Sequence, residues 1–479
     1  MGNSPYTTSI HILDDYSLLN IFHLYRPFLL SEDPYINLFW GGARWVGEHW
    51  WYRLAHVCQR WRNIILGSAS YLGLCLVCTY GMPVADMLTH SPRLPIVIDY
   101  ESRDITPEDE EAIILALEQR GRVRRIRLDI AALKLQKLIT AIDGEYPILE
   151  YLILGNVPEE NRTVSILPET LQMPRLCLLA MNCSIPIRFQ SLTTAVGLVT
   201  LCLGLHHPST YFQPAVLLQS LSLMPQLEIL LILFYFTVPN RTEERQLTRT
   251  PIVTNVALPN LLSFVFQAVS AYSEAVLSRV TASRLENFHI IYLNQLTFSV
   301  PQLVQFMERT ESLIGLPLDR AEFYFNSEGI SVSVNPPGTN HIPVGRAAFS
   351  IAVRCWHLNW QVSSVAQISN MLGQIFSGVE HLTLQHEVHS RSSEEHNEVD
   401  RANWRKFLRP FSNVKTLRIE DGLVRELSRC LRLEDGEHPL ELLPGLQELS
   451  YESDNASDEF TSFIDARQNA GRPVTLIDM

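Results

Sequence analysis

The chain has 479 residues, 46% hydrophobic and 19% charged, which suits a large ordered core and excludes disorder over most of its length. Lys and Arg number 38 against 51 Asp and Glu, and the resulting charge of −13 is opposite in sign to the footprint of a nucleic-acid scaffold. The longest strongly apolar run, Ile229 to Phe236, is too short to cross a bilayer, the first twenty residues lack a secretory pattern, and eight cysteines are too few for a disulfide framework, so a cytoplasmic and/or nuclear setting without membrane contact is expected.

The first 70 residues hold five of the eight tryptophans and read as a separate module. Asp14 or Asp15 caps a predicted helix with Leu18, Leu19 and Phe22 on one face, Ile12 and Leu13 just ahead of it, and an end near Pro27. After an insertion at about 27–50, a second predicted helix places Leu54, Val57, Cys58, Trp61, Ile64 and Ile65 on one face. Strands follow near Leu72–Cys78 and Leu94–Tyr100, on either side of a short helix at Val84–Thr89. Helical spacing returns at Glu111–Glu118 and Ala131–Ile142.

From Val123 onward a Leu-x-x-Leu-x-Leu core recurs twelve times, with first positions at Val123, Leu149, Leu176, Leu198, Leu227, Leu261, Leu285, Leu318, Ala348, Val379, Val414 and Leu446. Intervals of 22 to 35 residues accommodate one strand and one return helix per copy. An ordinary α/β domain would show similar alternation, but the Pro-x-Leu-x-x-Leu-x-Leu phase held through several copies favours repeats. Asn eight residues after the first Leu, the position that tightens regular leucine-rich repeats, occurs only as Asn326.

The string Ile12-Leu13-Asp14-Asp15-Tyr16-Ser17-Leu18-Leu19-Asn20-Ile21-Phe22, followed by Leu54-Ala55-His56-Val57-Cys58-Gln59-Arg60-Trp61-Arg62, resembles an F-box. Leu13 stands where Pro is usual, and the long connection before Trp50 is similar to that of many fungal F-box proteins. The repeats resemble an irregular leucine-rich-repeat solenoid. The expected fold class is therefore α/β: an all-α F-box module at 8–72 and, over 73–479, a leucine-rich-repeat-like solenoid of about twelve repeats with a parallel sheet. The resemblance implies a substrate-recognition subunit of a cullin-type (SCF) ubiquitin ligase, non-catalytic and without cofactor or metal. Its partners would be a Skp-type adaptor, the cullin reached through it, and an unidentified protein substrate.

The physics of a small helical module agrees. Three short helices cannot cover both faces of their apolar stripes, and burying six such side chains yields on the order of 10 kcal/mol gross, which association costs of similar size oppose. The adaptor-binding candidates are Ile12, Leu13, Leu18, Leu19, Phe22, Leu54, Val57, Cys58, Trp61 and Ile64. The alternative is a repeat-only binding scaffold in which these helices cap the apolar end of the solenoid.

Strand alternation sends the core leucines inward and the second, fourth and sixth positions after the first one outward. The outward set is charged at first (Arg125, Arg127, Asp129) and polar at the end, whereas Tyr151, Ile153, Leu178, Ile229, Leu231, Leu233, Val265 and Ile291 form an apolar middle. That middle is either a target-binding surface or a set of positions covered by the chain itself. No catalytic or metal motif stands out. Cys75 and Cys78 read as buried strand residues, His386-Glu387-Val388-His389 as a loop, His206-His207 as a strand exit, and the acidic stretches Ser392–Asp400, Glu434–Glu437 and Glu452–Glu459 as solvated loops.

Overall fold

The computed structural model describes residues 12–26, 50–101, 105–155, 167–183, 192, 194–235, 253–293, 299–310, 318–335, 349–387, 401–434, 436–451 and 459–478. They form a mixed α/β structure with fifteen α-helices and an open, mostly parallel sheet arrangement. The chain divides into two compact units, 1–198 and 199–479.

The first unit opens with helix α1 (Asp15–Tyr25), which starts where the Asp14 carboxylate accepts the Ser17 N–H at 2.7 Å. The single helix expected over Leu54–Ile65 is two helices, α2 (Trp50–Ala55) and α3 (Gln59–Gly67). Cys58 causes the break: its backbone is extended (φ −158°, ψ 168°), and its Sγ accepts the Trp61 N–H at 3.5 Å as the cap of α3. Helix α4 (Ala69–Leu72) ends at Gly73, whose φ of 63° is a left-handed stop that favours glycine.

Five parallel strands follow in sequence order: β1 (Leu76–Cys78), β2 (Ile96–Glu101), β3 (Val123–Asp129), β4 (Tyr151–Gly155) and β5 (Leu178–Cys183). Between them run α5 (Val84–His90), α6 (Pro107–Glu118) and α7 (Ala132–Ile139). Thr106 and Asp109 close a reciprocal capping box at the start of α6. Both cysteines are buried as expected, but only Cys78 lies on β1: Cys75 stands just ahead of the strand and joins Val77 and Val97 in a small buried cluster, while burial pushes the Cys78 thiol up to about 12.

In the second unit, parallel strands β6 (Thr200–Leu205) and β7 (Ile229–Phe234) flank helix α8 (Pro214–Leu221). A two-stranded accessory ladder pairs β8 (Val256–Ala257) with β10 (Val280–Thr281). Strand β9 (Ser263–Ala268), helix α9 (Ser270–Leu277), strand β11 (Asn287–Leu293) and helix α10 (Pro301–Arg309) continue the alternation. Phe264, Phe288 and Phe349 are register partners across three strands with ring centroids 5.7 and 5.9 Å apart, and Phe306 of α10 packs 5.1 Å from Phe288. An aromatic ladder thus joins successive strands of this unit where an Asn ladder is missing.

The next segment departs from simple repetition. Strands β12 (Arg320–Asn326), β13 (Gly329–Asn335) and β14 (Phe349–Arg354) appear in the spatial order β14, β13, β12, with β13 antiparallel to both neighbours. Asn326 explains the reversal: its Oδ1 accepts the Glu328 and Gly329 N–H groups, each at 2.9 Å, and folds the chain back as a tight turn. The one Asn at the repeat-tightening position therefore makes a hairpin. Helices α11 (Leu358–Met371) and α12 (Gly373–Phe376) lead to β15 (His381–His386), which pairs with β12.

The unit then resumes parallel order through α13 (Arg401–Leu408), β16 (Thr416–Ile419), α14 (Asp421–Leu431), β17 (Glu448–Tyr451), α15 (Thr461–Asn469) and β18 (Thr475–Asp478). In all twelve recurring cores the second and third apolar positions lie on strands, most of which begin two residues after the first position. No helix among the described residues is long and apolar enough to cross a membrane.

Candidate docking surfaces

The amino-terminal helices separate their apolar residues into an inner and an outer set. Leu18 and Phe22 are fully buried, and the Phe22 ring meets Trp61 of α3 edge-on, with centroids 4.9 Å apart. Arg60 clamps the same junction, 2.7 Å from the Asp15 carboxylate and donating at 2.6 Å to the Leu13 carbonyl. These two adaptor-binding candidates therefore belong to the inside of the module, because their helix face is the one that α3 covers.

The other candidates are placed differently. Ile12 is 77% and Val57 59% exposed, the latter because it lies in the turn between α2 and α3. Leu13, Leu19, Leu54, Cys58, Trp61 and Ile64 are half-buried. Additional apolar surface lies at Tyr16, Ile21, Leu24, Tyr25 and Tyr71, outside the stripe picked from spacing. Ile21 and Leu24 stand three residues apart on one side of α1, a side that the Leu18–Phe22 periodicity leaves facing away from the core. Among the described residues, seven of the seventeen exposed large apolar residues fall within 12–72, a concentration that a free helical module does not need for folding.

The outward sheet positions follow the expected alternation but are not uniform. In the first unit Tyr151, Ile153 and Leu178 are half-buried, the Arg125 guanidinium lies 4.7 Å above the Tyr151 ring centre, and Arg127 pairs with Glu101 at 2.8 Å. In the second unit Ile229, Leu233, Val265 and Ile291 are half-buried, whereas Leu231 is only 6% exposed. Leu231 sits in register between Cys202 and Val265, and this packing removes it from the set available to a target. Sequence spacing gave its direction but carried no signal of its coverage.

Polar side chains interleave on this face. The Gln267 amide donates to the Phe234 carbonyl at 2.7 Å, and the His289 ring meets the Ser350 hydroxyl. Burial lowers the His289 imidazole to about 4, so it is neutral near pH 7. His206 leaves β6 as expected and stacks on Tyr235 with ring centroids 4.3 Å apart. His386, read from sequence as part of a loop, is the last residue of β15; Glu387 follows it and accepts the Tyr324 hydroxyl at 2.5 Å, whereas Val388 and His389 lie outside the described residues.

The acidic stretch at Glu434–Glu437 is not simply solvated. Arg401 meets Glu434 at 2.9 Å and Glu437 at 2.7 Å, while Arg405 meets Glu437 at 3.2 Å and Glu441 at 2.7 Å. Of Glu452–Glu459, only Glu459 is described and it accepts the Ser428 hydroxyl at 2.8 Å; Ser392–Asp400 lies outside the described residues. Among the described residues, no group of three or more His, Cys, Asp or Glu side chains is placed to hold a metal ion. No protein-family model matches the chain, and no curated protein matches it.

Proposed function

We propose that the chain is a non-catalytic substrate-recognition subunit of a cullin-type ubiquitin ligase. Its amino-terminal helices would dock as an F-box on a Skp-type adaptor, and its leucine-rich-repeat-like solenoid would hold a protein target. The concentration of exposed apolar side chains on a helical module held together by Leu18, Phe22 and Trp61 carries this reading. Internal packing already consumes the inner stripe, so Ile12, Ile21, Leu24 and Val57 remain as surface that a partner helix can cover. The test is affinity capture of the intact protein from fungal cell extract. Recovery of the adaptor together with the cullin is expected, and recovery of neither with a folded bait would contradict the proposal.

A second reading has its own observation. Trp51 is buried and its indole N–H donates to the Cys75 carbonyl at 3.3 Å, just ahead of β1, so the helices also cover the start of the sheet. A capping role alone would make the chain a repeat-only scaffold. Capping does not require Leu24 to be 75% exposed.

A further inference from the structure

The second unit ends in a strand that its own core leaves unfinished. Strand β18 pairs only with β17. Leu382, Leu417, Leu449 and Leu476 are register partners in one inward row, and their exposures are 1%, 0%, 0% and 39%. Ile477 is 41% exposed and Thr475 is exposed as well, so both faces of β18 are open to solvent. The Thr475 N–H donates to the Gln447 carbonyl at 2.8 Å, which turns the backbone of Thr475 and Ile477 toward β17 and that of Val474 and Leu476 to the free edge. Among the described residues nothing hydrogen-bonds to that edge. A free edge usually carries a charge or a proline that blocks pairing, but Val474 to Ile477 include neither, and Pro473 falls in the phase that faces β17. Positive charge without a counter-ion lies beside this strand. Arg467 of α15 is fully buried, donates to the Leu446 and Pro444 carbonyls at 3.0 and 3.3 Å, and leaves Nε and Nη1 without a partner. Burial, and then the charge of nearby Arg472, hold the Arg467 guanidinium below its ordinary pKa. Arg472 itself is exposed and, among the described residues, joins no ion pair.

We propose that β18 pairs antiparallel with β18 of a second copy of this chain, about a two-fold axis through Thr475. In that register Leu476 faces Val474 of the other copy, and the two exchange the backbone hydrogen bonds that the free edge leaves unmade. Thr475 faces its own counterpart, Ile477 faces Pro473, and Arg472 faces position 478, an aspartate, once on each side of the axis. The pairing covers the open end of the leucine row and brings opposite charge to Arg472. A register centred on Leu476 would use the same backbone groups but set position 478 against Val474, so charge selects the axis at Thr475. The strand thus supplies both halves of its own complement, which favours a second copy over an unrelated peptide. It is only 4 residues long, so the dimer is expected to be weak, with a dissociation constant of about 10–100 μM. This self-association is separate from adaptor docking and target binding, and its failure leaves both untouched.

Sedimentation velocity of the full chain, from about 1 to about 200 μM, reads the pairing, and the parent should pass from monomer to dimer across that range. Arg472→Glu and Asp478→Arg should each weaken the dimer about tenfold, because like charges then face each other on both sides of the axis. An equimolar mixture of these two variants should regain the parent's affinity, since each supplies the charge that the other lacks. Thr475→Lys sets two cations face to face on the axis and should also weaken the dimer about tenfold. Arg472 and Thr475 are exposed, so circular dichroism of their variants should match the parent. A parent that stays monomeric throughout, a dimer indifferent to Arg472→Glu and Thr475→Lys, or a mixture no tighter than its two components would overturn the proposal.

Discussion

Replacing Leu231 by Asn separates an open sheet face from a covered one. Leu231 is 6% exposed and lies in register between Cys202 and Val265, neither of which offers a carboxamide partner, while the neighbouring backbone groups serve the parallel ladders. Losing the buried isobutyl group costs about 1.5–3 kcal/mol. An amide left without hydrogen bonds at such a site adds about 1–3 kcal/mol, so a total of roughly 3–5 kcal/mol is expected. Leu233→Asn, at a half-buried position on the same strand, should cost less than half as much. Urea unfolding followed by circular dichroism reads both. A loss below about 0.5 kcal/mol for Leu231→Asn, the range of ordinary surface substitutions, would refute the assignment of Leu231 to the core.

Three further outcomes are expected. Phe22→Ala should destabilise the amino-terminal helices by about 3–5 kcal/mol through loss of the Trp61 contact, visible as early loss of amide-exchange protection in α1; unchanged protection would contradict the inner assignment. In Gly329→Ala the new Cβ meets the Val353 carbonyl oxygen of β14, so about 1–3 kcal/mol should be lost in a urea titration, and a neutral result would argue against the close approach of β13 and β14. The His289 imidazole titrates near 4 in the folded chain against an ordinary 6.5, so the unfolded chain takes up the proton first. Its contribution to stability is full above pH 6.5 and is lost as pH falls toward 4; melting temperatures of His289→Gln should show a flatter dependence in that window, and an unchanged slope would count against it.

Most strands were legible because each is a short apolar alternation, and the second and third positions of every recurring core from Val123 to Leu446 fall on one, whereas β8, β10, β13 and β18 were not read. The hairpin at Asn326 was hidden because the repeat pattern assigns that residue a solenoid role, while its actual partners are the N–H groups of Glu328 and Gly329. Strand β13, Gly-Ile-Ser-Val-Ser-Val-Asn, alternates as cleanly as its neighbours, but it falls between two weak cores and breaks the period. On the amino-terminal module, spacing located the face that packs inward at Leu18 and Phe22. Spacing could not tell a face covered by α3 from one left open for a partner, since both are apolar. The exposed Ile21 and Leu24 emerge only once the break at Cys58 sets the course of α2 and α3.

Isothermal titration of a purified Skp-type adaptor into the intact chain, and into its Ile21→Lys/Leu24→Lys variant, tests the central claim most directly. Both substitutions fall on exposed sites of α1, so circular dichroism should not change. The parent is expected to bind, and the variant to bind at least about tenfold more weakly, equivalent to about 1.4 kcal/mol. No heat of binding with the parent, or equal affinity for parent and variant, would contradict docking through the amino-terminal helices.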